Sequence, residues 1–163
     1  MTSFLRFEYV GPADLRAGAK ASPVGKRFSS KPGVDAWIRE FGDDGWATYV
    51  VDLSGELLLA PRRSEHVACA GGRPVLAAGE MRFDDTGNVV EVSNNSTGYC
   101  PAESCWSAVD RALANLGLNF PEQLTFTAVF RRCPACGERN LVKDDWFHCG
   151  LCDANLPRQW NFQ

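Results

Sequence analysis

The sequence predicts an α+β fold, a mostly antiparallel sheet with one main helix, followed by a small C-terminal ribbon built on cysteine pairs. Three observations predict it. Strand-like segments joined by short turns crowd residues 47–93, one helical period runs from Glu103 to Leu116, and two CxxC units close the chain. Connections this short require antiparallel pairing, because a parallel crossover needs about a dozen residues or more.

Residues 1–35 are rich in turn formers (Gly11-Pro12, Ser22-Pro23, Ser29-Ser30, Pro32-Gly33) and read as irregular structure wrapped on a core. Val34 to Phe41 reads as a short helix with Trp37, Ile38 and Phe41 on one side, ended by a turn at Asp43-Asp44-Gly45. Thr48–Leu53 and Glu56–Ala60 flank Ser54-Gly55, a two-residue hairpin signal. His66–Ala70 reads as a strand of small residues stopped by Gly71-Gly72. Val75–Phe83 and Asn88–Ser93 flank a second hairpin turn at Asp85-Thr86-Gly87. Ser93 to Pro101 (SNNSTGYCP) is turn chemistry throughout. Trp106, Val109, Leu113 and Leu116 repeat at three- and four-residue spacing, which gives the helix, and Gly117 stops it. Phe126, Ala128 and Phe130 alternate with Thr125, Thr127 and Val129 as a strand entering Cys133. The expected organisation is a core over 1–130 with a ribbon over 131–163 docked on it.

With 163 residues, 45% hydrophobic and 23% charged, the chain has the composition of an ordinary globular domain. Its net charge of -3 and pI near 5.4 leave no global basic field for nucleic acid or anionic membrane. No apolar run reaches the roughly 18 residues that span a bilayer, and MTSFLRFEYV lacks the layout of a signal peptide. A cytoplasmic protein without membrane attachment is expected. There, seven cysteines read as metal ligands and free thiols rather than disulfides. Oligomeric state is not readable from the chain.

Cys133-Pro-Ala-Cys136 and Cys149-Gly-Leu-Cys152, twelve residues apart, have the layout of two knuckles that each turn a pair of sulfurs to one side. Four thiolates at about 2.3 Å complete a tetrahedron around Zn²⁺. Such a site is coordinatively closed, so the zinc is expected to be structural. Between the knuckles the pattern suggests a hairpin, Asn140–Val142 against Trp146–His148, turning at Lys143-Asp144-Asp145. His148 adjoins Cys149 but four cysteines already fill the shell. Redox CxxC pairs, disulfides and an iron–sulfur cluster are the alternatives.

The second constellation runs from Arg62 to Pro101. Gly71, Gly72 and Gly79 let backbone come close to something, and the loop Asn94-Asn95-Ser96-Thr97-Gly98-Tyr99 offers amides, hydroxyls and a phenol. Ser64, His66, Gly71, Gly72, Asn94, Ser96 and Tyr99 are the ligand-contacting candidates. In Glu65-His66, Gly71-Gly72, Ala77-Ala78-Gly79 and Ser96-Thr97-Gly98-Tyr99-Cys100-Pro101, about a quarter of the chain resembles a segment of plant IQ-motif-containing calmodulin-binding proteins. No IQ motif is present, so calmodulin binding does not carry over, and a histidine of the plant loop is missing before Tyr99. From about Thr48 to Asn161 the chain also resembles a set of uncharacterised bacterial, largely actinobacterial, proteins in which the same segment precedes a CxxC ribbon. Neither resemblance implies a reaction.

Three readings of function remain. The first is a non-catalytic binding or adaptor module that recognises a protein or small ligand through residues 64–72 and 93–99. The second is an enzyme of transferase or hydrolase type on the same face, with His66, Glu65, Glu80 and Tyr99 as its candidate groups. Cys69 with His66 as a nucleophile pair is weaker, because positions three apart on a strand face opposite ways. Arg62, Arg63 and Arg73 are candidates for a phosphate or carboxylate. A second metal site from His66, Cys69, Cys100 and Cys105 lacks knuckle spacing. The third reading is a nucleic-acid-binding ribbon using Trp146, Phe147, Trp160 and Phe162 with neighbouring arginines. Residues 131–163 hold five basic and four acidic side chains, so the aromatics read rather as packing for the ribbon.

Overall fold

The computed structural model describes residues 3–19 and 25–163; the Ser22-Pro23 turn lies outside the described residues. The fold is α+β, with a five-stranded antiparallel sheet in the order β1-β3-β2-β4-β5. The strands are β1 Lys26–Arg27, β2 Trp46–Val51, β3 Leu57–Pro61, β4 Ala77–Phe83 and β5 Val89–Val92. β2 and β3 form the expected hairpin, and Asp52 Oδ1 shapes its turn by accepting from the amides of Ser54 and Glu56, both at 3.0 Å. Asp84 does the same for β4 and β5, accepting from the amides of Thr86 and Asn88.

The main helix runs from a 3-10 turn, Glu103–Cys105, into α4, Trp106–Asn115, and packs across β2, β3 and β4. Ala108, Val109, Ala112 and Leu113 form its buried stripe against a core that includes Tyr49, Leu57, Leu59 and Met81. α2, Lys31–Phe41, begins three residues earlier than its apolar spacing indicates, because the hydroxyl of Ser30 caps the amide of Gly33 and Pro32 fits the first turn. α1, Ala13–Ala19, interrupts a stretch read as irregular.

His66–Ala70 is not a strand. His66–Cys69 is a single helical turn, α3, against α1, β2 and β3. A short apolar run of small residues has no period that separates strand from helix. The glycines after it decide: Gly71 (φ 65°) and Gly72 (φ 78°) are both left-handed, and their amides reach back to the carbonyls of Ala68 and Val67.

Near the C-terminus, β6 Val129–Arg132 pairs with β7 Arg139–Val142, so the hairpin partner of Asn140–Val142 is β6 and not Trp146–His148. The left-handed pair Asp144 and Asp145 turns the chain away, and His148 is left with one bridge to Asn155. β6 starts at Val129, four residues later than the alternation from Thr125 suggests. The amides of Thr125 and Phe126 are taken by the carbonyl of Val92 and that of Ala128 by the side chain of Asn94.

Candidate metal centre and the adjoining sheet face

The two knuckles fold alike. In each, the amide of the first cysteine donates to the carbonyl five residues on (Cys133 to Glu138, Cys149 to Ala154, both 2.8 Å). The amide four residues on returns to the cysteine carbonyl (Gly137 to Cys133, Asp153 to Cys149, both 2.9 Å). The left-handed residue each loop needs is Gly137 (φ 81°) in one and Asp153 (φ 64°) in the other. These turns aim amides at sulfur: Cys136 N lies 3.5 Å from Cys133 Sγ, and Leu151 N lies 3.4 Å from Cys149 Sγ.

The four sulfur atoms of Cys133, Cys136, Cys149 and Cys152 all lie within 4.8 Å of one another and could hold a metal ion. Cys133 and Cys152 are 3.5 Å apart, and Cys136 and Cys149 are 3.6 Å apart. Those separations exceed a disulfide bond by more than an ångström, and all seven cysteines are free. They fall near the roughly 3.8 Å edge of a tetrahedron with 2.3 Å metal–sulfur bonds. Four soft donors of one kind fit an ion such as Zn²⁺ or iron, not a hard cation. The Cys136 amide, first among its contacts, lowers the Cys133 thiol, and the Cys152 amide, first among several, brings Cys149 down to about 6. Asn140, on β7, completes the second knuckle: its Oδ1 accepts from Gly150 N at 2.9 Å and its Nδ2 lies 3.5 Å from Cys149 Sγ. No spacing rule marks Asn140 in the sequence; only the pairing of β7 with β6 brings it there.

The other candidate side chains are distributed by the same backbone. Tyr99 is fully buried, and its hydroxyl donates to the carbonyl of Arg73 at 2.6 Å. Asn94, also fully buried, spans the carbonyls of Pro101 and Ala128 with Nδ2 and accepts from Ala128 N with Oδ1. Ser96 accepts from the amide of Tyr99. Ser96 holds the loop's own turn, while Asn94 and Tyr99 pin the loop to Ala128 and Arg73. His66 Nε2 meets the carbonyl of Gly79 at 2.8 Å, and burial lowers its pKa, so the ring is neutral and donates there. The close approach suggested by Gly79 is real, and what approaches is the chain itself: a Cβ there would collide with the carbonyl oxygen of Ser93.

Burial pushes Cys69, Cys100 and Cys105 up to about 12, which leaves each a protonated thiol at neutral pH. Cys69 is buried beside Val67, the small hydrophobe expected, although on a helical turn. Apart from the ribbon cysteines, no group of three or more His, Cys, Asp or Glu side chains among the described residues is placed to hold a metal ion.

The face that stays partly open belongs to β2, β4 and β5. Cross-strand pairs Trp46–Arg82 and Thr48–Glu80 place these four side chains on one side, with Glu91 opposite Arg82. Arg82 bonds Glu91 through Nε, Arg62 stacks over the Trp46 ring at 5.3 Å, and Thr48 donates to the carbonyl of Ser64 at 3.5 Å. A cavity of about 250 Å³ opens here between Trp46, Glu80, Ser93, Asn95 and Phe126. Asn95 belongs to the loop the sequence singles out, whereas Trp46 and Phe126 carry no such signal, because strand alternation alone does not say which side is covered. Glu65 is exposed at the start of α3.

Of the ribbon aromatics, Trp160 stands edge-on to Phe7 (5.4 Å) and donates its indole N–H to the carbonyl of Cys100 at 2.7 Å. Phe147 carries Arg158 at 4.3 Å and Arg131 at 5.6 Å, and Phe162 carries Arg132 at 5.1 Å. Trp146 is 65% exposed. Among the described residues no helix is long and apolar enough to cross a membrane. No family model, curated protein or solved structure matches the chain.

Proposed function

We propose that the protein is a cytoplasmic, zinc-stabilised, non-catalytic binding module, with a ribbon from residue 131 docked on a core of residues 1–130. One Zn²⁺ is held by Cys133, Cys136, Cys149 and Cys152, and the recognition face is the side of the sheet where β4 and β5 meet the loop from Ser93. The observation that carries the zinc is the cluster of four sulfurs within 4.8 Å of one another, with amides directed at two of them. Four thiolates leave no open position for a catalytic water, so the ion's binding free energy acts as folding energy for the ribbon. Seven unbridged thiols suit a reducing compartment.

A binding role is supported by how two of the four candidate catalytic groups, and the thiols outside the ribbon, are occupied. His66 and Tyr99 are engaged with backbone carbonyls, and the three thiols outside the ribbon are protonated. Co²⁺ substitution tests the site without interference from the protein's own absorption. Tetrahedral four-thiolate Co²⁺ gives intense visible bands, and about one equivalent of Zn²⁺ is expected to bleach them. The pale spectrum of octahedral Co²⁺, or a brown protein as isolated whose absorption marks an iron–sulfur cluster, contradicts the proposal.

A further inference from the structure

We infer that the cavity between Trp46, Glu80, Asn95 and Phe126 receives an organic cation, an alkylammonium or guanidinium group; this rests on the binding-module reading and gives its ligand a chemical class. Two arginines and three carboxylates gather at this face, and four of the five are matched. Arg82 is bonded to Glu91, and Arg62 lies 3.6 Å from Asp43. Glu80 keeps its backbone in the sheet, N–H to Ser93 Oγ and carbonyl to Ser93 N, while its carboxylate has no partner among the described residues. The unmatched charge lining the cavity is therefore negative.

Aromatic groups flank it. Phe126 is 53% exposed, yet its backbone is fixed: the amides of Thr125 and Phe126 both donate to the carbonyl of Val92 (2.9 and 3.3 Å), and Val92 N donates to Thr125 Oγ1 (2.8 Å). A large apolar ring held outward on a pinned segment cannot relax into the core. Trp46 sits across the cavity with the guanidinium groups of Arg62 (5.3 Å) and Arg82 (6.0 Å) already over its ring, which leaves Phe126 as the unoccupied aromatic face. Ring faces attract cations and a carboxylate pairs with them, so the two features select the same ligand charge. Asn95 adds a carboxamide whose oxygen and amide group have no partner among the described residues. At about 250 Å³ the cavity lies just below the usual range for small-molecule pockets, a size for one charged head group and its stem.

The cation can come from a free amine or from a basic side chain of a partner, and two probes separate these sources. Agmatine and a tri-arginine peptide are titrated into the zinc-loaded, ¹⁵N-labelled chain at low salt. The Trp46 indole and the amides of Ser93, Asn95 and Phe126 are expected to shift saturably. Agmatine binding as tightly as the peptide points to a small ligand; the peptide binding alone points to a partner side chain. Glu80→Gln is expected to weaken binding about tenfold and Phe126→Ser about threefold, with the spectrum elsewhere unchanged. Unchanged affinity in Glu80→Gln overturns the proposal. So do shifts of these resonances by inorganic phosphate and not by either cation, which leave a binding face of the opposite charge. No shift with any of the three probes overturns the proposal and counts against the binding-module reading as well.

Discussion

Between Trp46 and Leu118 the chain fully buries Tyr49, Leu59, Met81 and Leu113, whereas between Cys133 and Leu156 the buried residues are Cys133, Cys149 and Leu156. Each fully buried large side chain of the first region contributes about 1.5–3 kcal/mol of transfer free energy. The second region has no such stock. Its order comes from two matching knuckles, the brace of Asn140 and, on the present account, one zinc ion whose apparent binding free energy is on the order of 10 kcal/mol. One region should answer to side-chain volume and the other to metal. Between them lies a junction where Trp160 meets Phe7 and Asn161 exchanges two hydrogen bonds with the backbone of Arg132.

The largest effect expected is that of stripping the metal. Chelation should abolish hydrogen-exchange protection at the amides of Gly137, Cys149, Asp153 and Leu156. The amides of β2 and β4 should stay protected, and equal loss in both regions would dissolve the comparison. The converse perturbation is Leu113→Ala, which deletes buried volume from α4 and should cost about 2–5 kcal/mol in urea unfolding. Metal content of the folded variant should not change. Trp160→Ala addresses the junction. It removes a half-buried ring and a hydrogen bond to the carbonyl of Cys100, so a loss of about 2 kcal/mol is expected, again with the metal retained.

The smallest effect is one of pH. Amides of Asn88 and Thr86 with their side chains hold the Asp84 carboxyl down to about 2, below its unfolded value near 3.9. A depressed carboxyl stabilises the fold above its unfolded pKa. That contribution should fade as pH falls from about 4 to about 2. Read at the amides of Thr86 and Asn88, Asp84→Asn should flatten the local pH dependence there, and an unchanged profile would discount the hairpin's carboxylate.

The same contrast explains what could be read from the sequence. Both knuckles were legible because cysteine spacing is local and the chemistry leaves few alternatives. The two hairpins and the main helix were legible because turn residues and apolar period agree there. His66–Ala70 was not, since Val, Ala and Cys carry no period in five residues and the deciding left-handed glycines lie outside the run. The polar loop misled in another way. Asn94, Ser96 and Tyr99 look ligand-directed by type, but Ser96 caps the amide of Tyr99 within the loop, and Asn94 and Tyr99 reach Ala128 and Arg73, which only the tertiary fold brings near. Buried backbone carbonyls need donors, and a polar loop crossing a core supplies them. Trp46 and Phe126, by contrast, carry the alternation of core residues and stand on the open side.

In the proposed protein one zinc ion takes the place of a hydrophobic core in the C-terminal segment. The most direct test is the mass of the intact protein under native conditions, purified without added metal, with elemental analysis of the same sample. The account predicts one zinc per chain in the native protein and none after Cys136→Ser with Cys152→Ser, while Cys69, Cys100 and Cys105 remain thiols. A metal-free native chain in which Cys133, Cys136, Cys149 and Cys152 are paired as disulfides would contradict it.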